Sequence, residues 1–306
     1  MTRPVVRARR TVTRRPRRQV DAKAYLYVLP AVLVFVAFIG IPLAQTAWYS
    51  LWNWDGLTAA TWAGMGNYVT IGTDSALLGS FSHTLVLLFF YAIVPVVVGL
   101  VLTAVMGRAD RMPGVSGIRA LLFLPQVVPS VVVATVWISI YAPNGMLNQA
   151  LRLFGVRDAS LAWLGTVSTA LPAVGLIGSW LGIGLCIVLF ISGATSIPVE
   201  RYESARLDGA GAIREFFAIT LPGLRGHIAV ALTLTAVAAL KSFDLIYVTT
   251  RGGPGTATTV PAYDVYSRAF TTNQVGQGAA IAIALTIVIL LVTLVISKIQ
   301  PTEEDE

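Results

Sequence analysis

The 306-residue sequence contains one cysteine, Cys186, and two histidines. A lone thiol forms no disulfide within the chain, and Cys186 lies in an apolar run where a small packing residue is expected. The histidines and the scattered acids form no cluster with metal-ligand spacing. The Gly-x-x-x-x-Gly-Lys-Ser/Thr pattern that cradles nucleotide phosphates is absent, so no P-loop is expected here. Charge is also scarce, at 12% of residues. A soluble domain of this length does not keep its surface wet with so few charges. No internal repeat and no separate soluble domain is evident.

What the sequence has instead is apolar bulk, 56% of residues, with a mean hydropathy of +0.74. Six runs are long enough to cross a hydrocarbon core as helix: 25–51, 81–106, 119–141, 169–194, 225–248 and 278–299. Several begin or break at proline (Pro30, Pro42, Pro95, Pro125, Pro129, Pro172). Spanning helices tolerate proline where neighbours satisfy the freed carbonyls. The expected class is an all-α membrane protein with six spans, flanked by a basic tail (1–24) and an acidic tail (300–306).

The net charge of +7 does not mark a nucleic-acid binder, because nine of the 22 basic residues precede residue 24. Such a tail fixes topology and touches anionic lipid head groups. With the N-terminus in the cytoplasm, seventeen Lys and Arg fall inside and four outside, leaving Lys241 within a span. The bias predicts both termini inside and a cytoplasmic 200–222 loop. The outer loops are then 52–80, 142–168 and 249–277. Trp48, Trp52, Trp54 and Trp62 cluster at the first outer boundary, as an aromatic belt does.

Residues 200–222 are the one long polar stretch between strongly apolar segments. The pattern predicts a short helix over Glu200–Leu207, a turn at Asp208-Gly209-Ala210-Gly211, and a second helix over Ala212–Thr220 stopped by Leu221-Pro222. Phe216, Phe217 and Ile219 would form an apolar stripe, with Glu203 and Asp208 on the opposite side. An ordinary amphipathic loop is the plain alternative.

This stretch resembles the cytoplasmic signature loop of permease subunits of ATP-binding cassette importers. The family pattern stands here as Glu203-Ser204-Ala205, Asp208-Gly209-Ala210 and Leu221-Pro222, with Ser204 in place of an alanine. The sugar-importer branch, in its maltose and glycerol-phosphate type, is similar over most of 25–299. The matching segments are Tyr27-Val-Leu-Pro30, Gly66-Asn67-Tyr68, Leu124-Pro125, Pro129-Ser130, Gly145-Met-Leu-Asn148, Phe243-Asp244 and Gly252-Gly253-Pro254.

The resemblance implies a translocation subunit with no catalysis of its own, in the bacterial inner membrane. It implies a second permease subunit, two ATPase subunits that bind ATP and magnesium, and an extracytoplasmic solute-binding protein. Coupling to an ATPase would fall to Glu203, Ala205, Asp208, Gly209, Ala210, Gly211, Leu221 and Pro222, with Glu203 meeting a basic group in the motor's cleft. The solute pathway would run past Gln126, Ser130, Gly178, Leu181, Gly182, Leu185, Thr235, Ala239 and Ser242. Thr235, Ala239 and Ser242 fall on one helical stripe, though small residues also pack helices together. Gly178, Leu185 and Ala239 offer no side-chain hydrogen bond, so the maltose ligand does not carry over with the position. The solute class is a mono- or oligosaccharide, a polyol or a glycerophosphodiester.

Lys241 and Asp244, at i and i+3, are expected to pair within the fifth span and to point away from the pathway. Such a pair also leaves room for the rival reading, a stand-alone ion-coupled transporter.

Overall fold

The computed structural model describes residues 22–108, 115–156 and 160–298. The tails expected at 1–24 and 300–306 lie outside these apart from the helical start at Ala22, as do Arg111 and Arg157 of the charge count. Contacts divide the chain into residues 1–45 and 46–306. The described part of the smaller unit is helical throughout.

In hydrocarbon every backbone group must be satisfied within the segment, so apolar runs become helices. Among the described residues four helices are long and apolar enough to cross unaided: Leu26–Tyr49, Ser75–Met106, Val167–Thr195 and Val275–Ser297. Two more spans are bent pairs, Ala120–Val127 with Ser130–Ile140 at 106° and Ala212–Gly223 with Arg225–Leu240 at 68°. The first bend falls at Pro129, whose ψ of 135° is extended; Pro also drives Val128 before it out of the helical region. The fifth span is shorter than its apolar run. It stops at Leu240, not 248, and a separate turn of helix restarts at Asp244. The second span starts earlier than expected, at Ser75, where the Asp74 carboxylate accepts from the Ala76 N–H as an N-cap.

Three prolines share one device. Pro42, Pro95 and Pro222 each follow a five-residue π segment (Val36–Gly40, Phe89–Ile93, Phe216–Thr220) at the same offset. The wider turn gives room to the ring that an α-helix would force against the carbonyl four residues back. Pro222 therefore does not stop its helix, which runs through Leu221–Gly223 and breaks only at Leu224.

The second and fourth spans run parallel. Phe90 meets Gly175, Tyr91 meets Gly178, Pro95 meets Gly182, and Gly99 meets Cys186 and Phe190. Parallel even-numbered spans require that the chain between them cross once, as the bent third span does. That span is antiparallel to the fourth: Leu122 and Phe123 abut Gly184, while the Tyr141 hydroxyl donates to the Ala173 carbonyl at 3.1 Å. Missing side chains let these helices approach, the usual route to close packing where lipid is as apolar as the helix. Cys186, fully buried beside Gly99, fills such a gap.

The end away from the 200–222 loop is pinned by buried amides. The Asn67 Nδ2 donates to the Ser50 and Trp52 carbonyls at 2.9 and 3.0 Å. The Asn148 Nδ2 donates to Ala142, Pro143 and Leu161 while its Oδ1 accepts from the Trp163 indole. The first and third outer loops meet there: the Gly276 N–H donates to the Trp54 carbonyl, and Arg268 pairs with Asp74 at 3.3 Å. Trp48, Trp52 and Trp62 form one ring cluster, with centroids 5.1 to 6.1 Å apart.

Asp264, in the short Pro261–Tyr266 helix of the third outer loop, has a buried Oδ2 without a hydrogen-bond partner among the described residues. Burial raises its carboxyl above the ordinary 3.8, against the pull of Ser80, Arg268 and His83. Folding thus favours the neutral acid. Its contribution is full below 3.8 and is lost as pH climbs through the raised value. Asp264→Asn, neutral throughout, is expected to flatten that limb of the curve. Thermal unfolding of the solubilised protein across about pH 4 to 8 reads it; an unchanged slope contradicts the assignment.

Candidate functional site

The kinked third span, the glycine-rich fourth and the fifth line a cavity of about 260 Å³ that is open on one side. Of the nine expected pathway residues, seven line it: Gln126, Ser130, Gly178, Leu181, Gly182, Leu185 and Thr235. Ala239 and Ser242 do not; both are buried behind the wall. Tyr91, Val128, Leu234 and Ala238 complete the lining and were not anticipated. Tyr91 enters from the second span, far away in sequence, because Gly178 leaves space for its ring.

The polar groups of the wall are few and mostly engaged. The Tyr91 hydroxyl shares a 3.2 Å hydrogen bond with Ser242 Oγ, which gives Ser242 a part in the site through Tyr91. Thr235 donates to the Ala231 carbonyl at 2.7 Å. Among the described residues the Gln126 side chain has no partner. An apolar surface with a few fixed polar groups suits a small polar solute held by its hydroxyls and by its less polar faces.

Lys241 and Asp244 do not pair. The helix stops at Leu240, so the i, i+3 register that would join them is lost. Asp244 instead accepts from Ser130 Oγ at 2.9 Å, which ties the restart of one broken span to the break in another at the cavity wall. The carboxylate therefore lies beside the pathway rather than away from it, and Lys241 is exposed.

The second feature is the 200–222 knob. Its first limb is helical over Val199–Leu207 and ends in a complete Schellman turn. The Ala210 N–H reaches the Ala205 carbonyl and the Gly209 N–H reaches Arg206, with Gly209 at φ +78°. That is why Asp208-Gly209-Ala210 stands where it does: a Cβ at Gly209 meets no neighbour, but the backbone itself is left-handed. Gly211 then caps the second limb, Ala212–Gly223. Glu203 and Asp208 are exposed, and so are Leu207, Ile213 and Phe217, at 89%, 76% and 60%. Leu221 and Pro222 are half-buried at its base.

Two contacts cross between the limbs that sequence spacing did not reveal. The Tyr202 hydroxyl meets Thr220 Oγ1 at 3.0 Å, and Arg206 Nε donates to Glu215 Oε1 at 2.8 Å. The Arg206 guanidinium is held above its ordinary value by the Glu215 hydrogen bond and charge.

The family model of the binding-protein-dependent transport system inner membrane component matches residues 115–301, which include the whole knob and three of the cavity's walls. A probable ABC transporter permease protein of Bacillus subtilis, YurN, is 34% identical over 92% of this chain and 97% of its own length. The multiple sugar-binding transport system permease protein MsmF of Streptococcus mutans is 31% identical over 90% of this chain and 94% of its own. Among solved structures, a chain of a bacterial ABC transporter that imports the acidic polysaccharide alginate superposes with a TM-score of 0.78. It covers 90% of this chain and 94% of that one, and at 20% identity the likeness is one of fold.

Proposed function

Because this chain belongs to the family of binding-protein-dependent transport system inner membrane components, we infer that it forms half of the translocation pathway of an ATP-binding cassette importer. It is a multi-pass inner-membrane translocation subunit, not an enzyme. In this reading the ATP and magnesium belong to two partner ATPase subunits, one of which grips the knob. A second permease subunit closes the open side of the cavity, and an extracytoplasmic binding protein delivers solute to the outer loops. A relative named for sugar transport and a cavity walled by few hydroxyl and amide groups together support an uncharged, hydroxyl-rich solute such as a mono- or oligosaccharide or a polyol.

One observation carries the coupling half of the proposal. The second limb of the knob continues through a 68° bend into the fifth span, which supplies Leu234, Thr235 and Ala238 to the cavity wall. From Arg225 to Thr235 is about 15 Å of helix. A push on the knob therefore reaches the cavity across the buried Leu224 bend and then along the helix of the fifth span, and rocking of such elements gives alternating access. The experiment is a thermal-shift screen of the cognate binding protein against saccharides, polyols, glycerophosphodiesters, amino acids and inorganic ions. A hit among the saccharides or polyols, with matching ATPase stimulation in the reconstituted complex, supports the reading. A hit confined to glycerophosphodiesters, amino acids or ions overturns the solute class.

A further inference from the structure

Glu215 is buried, at 7% exposure, in a loop whose other acids are exposed. Its carboxylate lies on the second limb of the knob, and Arg206 reaches it from the first. Nε is 2.8 Å from Oε1 and one terminal nitrogen 3.4 Å from Oε2. The two residues stand on opposite sides of the Gly209 turn, so the fork closes the turn as a strut closes a hinge. A carboxylate is kept out of water only where charge and hydrogen bonds compensate it, so the acid is committed to this geometry. The Tyr202–Thr220 contact ties the limbs a second time, nearer their base.

We propose that the Arg206–Glu215 pair is a brace that makes the knob a rigid lever, so that Arg206 and Glu215 are positioning residues for transmission from motor to cavity. The proposal rests on the importer reading above. Without the brace the Gly209 turn can flex and absorb displacement of the first limb before the fifth span moves. Glu203 remains free to dock in either case, so docking and transmission are separable.

The test uses the complete reconstituted complex with Leu234→Cys as a reporter in the cavity wall and Cys186→Ser to silence the native thiol. The rate of maleimide labelling at position 234 is measured with and without a non-hydrolysable ATP analogue. The braced protein is expected to change its labelling rate by about fivefold or more on nucleotide binding, a typical coupling between sites. Arg206→Met and Glu215→Gln are each expected to lose that response while the ATPase subunits remain bound and take up the analogue normally.

The double variant Arg206→Met with Glu215→Gln separates a brace from simple stabilisation. Arg206→Met takes from the buried acid its 2.8 Å contact, and Glu215→Gln in the same chain removes the acid's charge as well, so the melting temperature is expected to recover toward wild type. The nucleotide response is expected to stay absent. If the response returns with the stability, or if either single variant still responds fully, the brace is refuted and the importer reading stands. If the braced protein itself shows no response to nucleotide, the importer reading fails and takes this proposal with it.

Discussion

Glu203→Ala is expected to abolish ATP-driven uptake while the chain still inserts, folds and presents an intact cavity. Glu203 is exposed on the first limb of a knob whose apolar tip, Leu207, Ile213 and Phe217, is left uncovered by the described residues. Among the described residues it acts inside the loop at long range, through the charge of Arg206. Removal should therefore leave the fold unchanged. Truncating one partner of a desolvated charge pair at an interface costs about 2 kcal/mol or more, roughly thirty-fold in affinity. The measurement is co-purification of the ATPase subunits, followed by uptake in vesicles. Wild-type co-purification and uptake would remove Glu203 from the interface. Gly209→Val should act similarly by a different route, since a β-branched residue at φ +78° is strained and the Schellman turn must rearrange.

Gly178→Ala is expected to disable the cavity itself. A Cβ at this position would lie 1.9 Å from Tyr91 Cε1, with two more ring carbons at 2.2 and 2.3 Å. The ring must leave, taking with it the hydrogen bond to Ser242 and part of the cavity wall. Overpacking of this kind costs about 1–3 kcal/mol in a well-packed core, and the lost hydrogen bond about 1 kcal/mol more. Uptake should fall by about tenfold or more at subsaturating solute if 1.4 kcal/mol of this reaches the binding step. Tyr91→Phe keeps the ring and loses only the hydroxyl, so its effect should be the smaller of the two. The opposite order would show that the hydroxyl, not the space beside Gly178, sets the site.

The parts visible in the sequence are those encoded locally. Apolar length gave six crossings, and the spacing from Glu203 to Pro222 gave a helix, a glycine turn and a second helix. What stayed hidden depends on breaks and on distance. From His227 to Val248 the apolar run contains no proline or glycine, so nothing marked the end of the fifth span at Leu240. The pairing of Lys241 with Asp244 presupposed unbroken helix and fell with it. Proline was an ambiguous signal: Pro125 and Pro172 sit inside their helices, Pro129 makes a 106° bend, and Pro222 is carried by a π segment. Tyr91 could not be found by periodicity within its own span, because a glycine on another span admits it to the cavity. Arg206 and Glu215 lie nine positions apart across a turn, a separation no single-helix pattern joins.

The central claim is that the work is done elsewhere and arrives through the knob. Uphill solute uptake is measured in proteoliposomes holding this chain and its second permease subunit, with ion gradients imposed and the binding protein supplied, before and after the ATPase subunits and ATP are added. Accumulation is predicted only once both are present. Accumulation driven by an ion gradient without them would contradict the account.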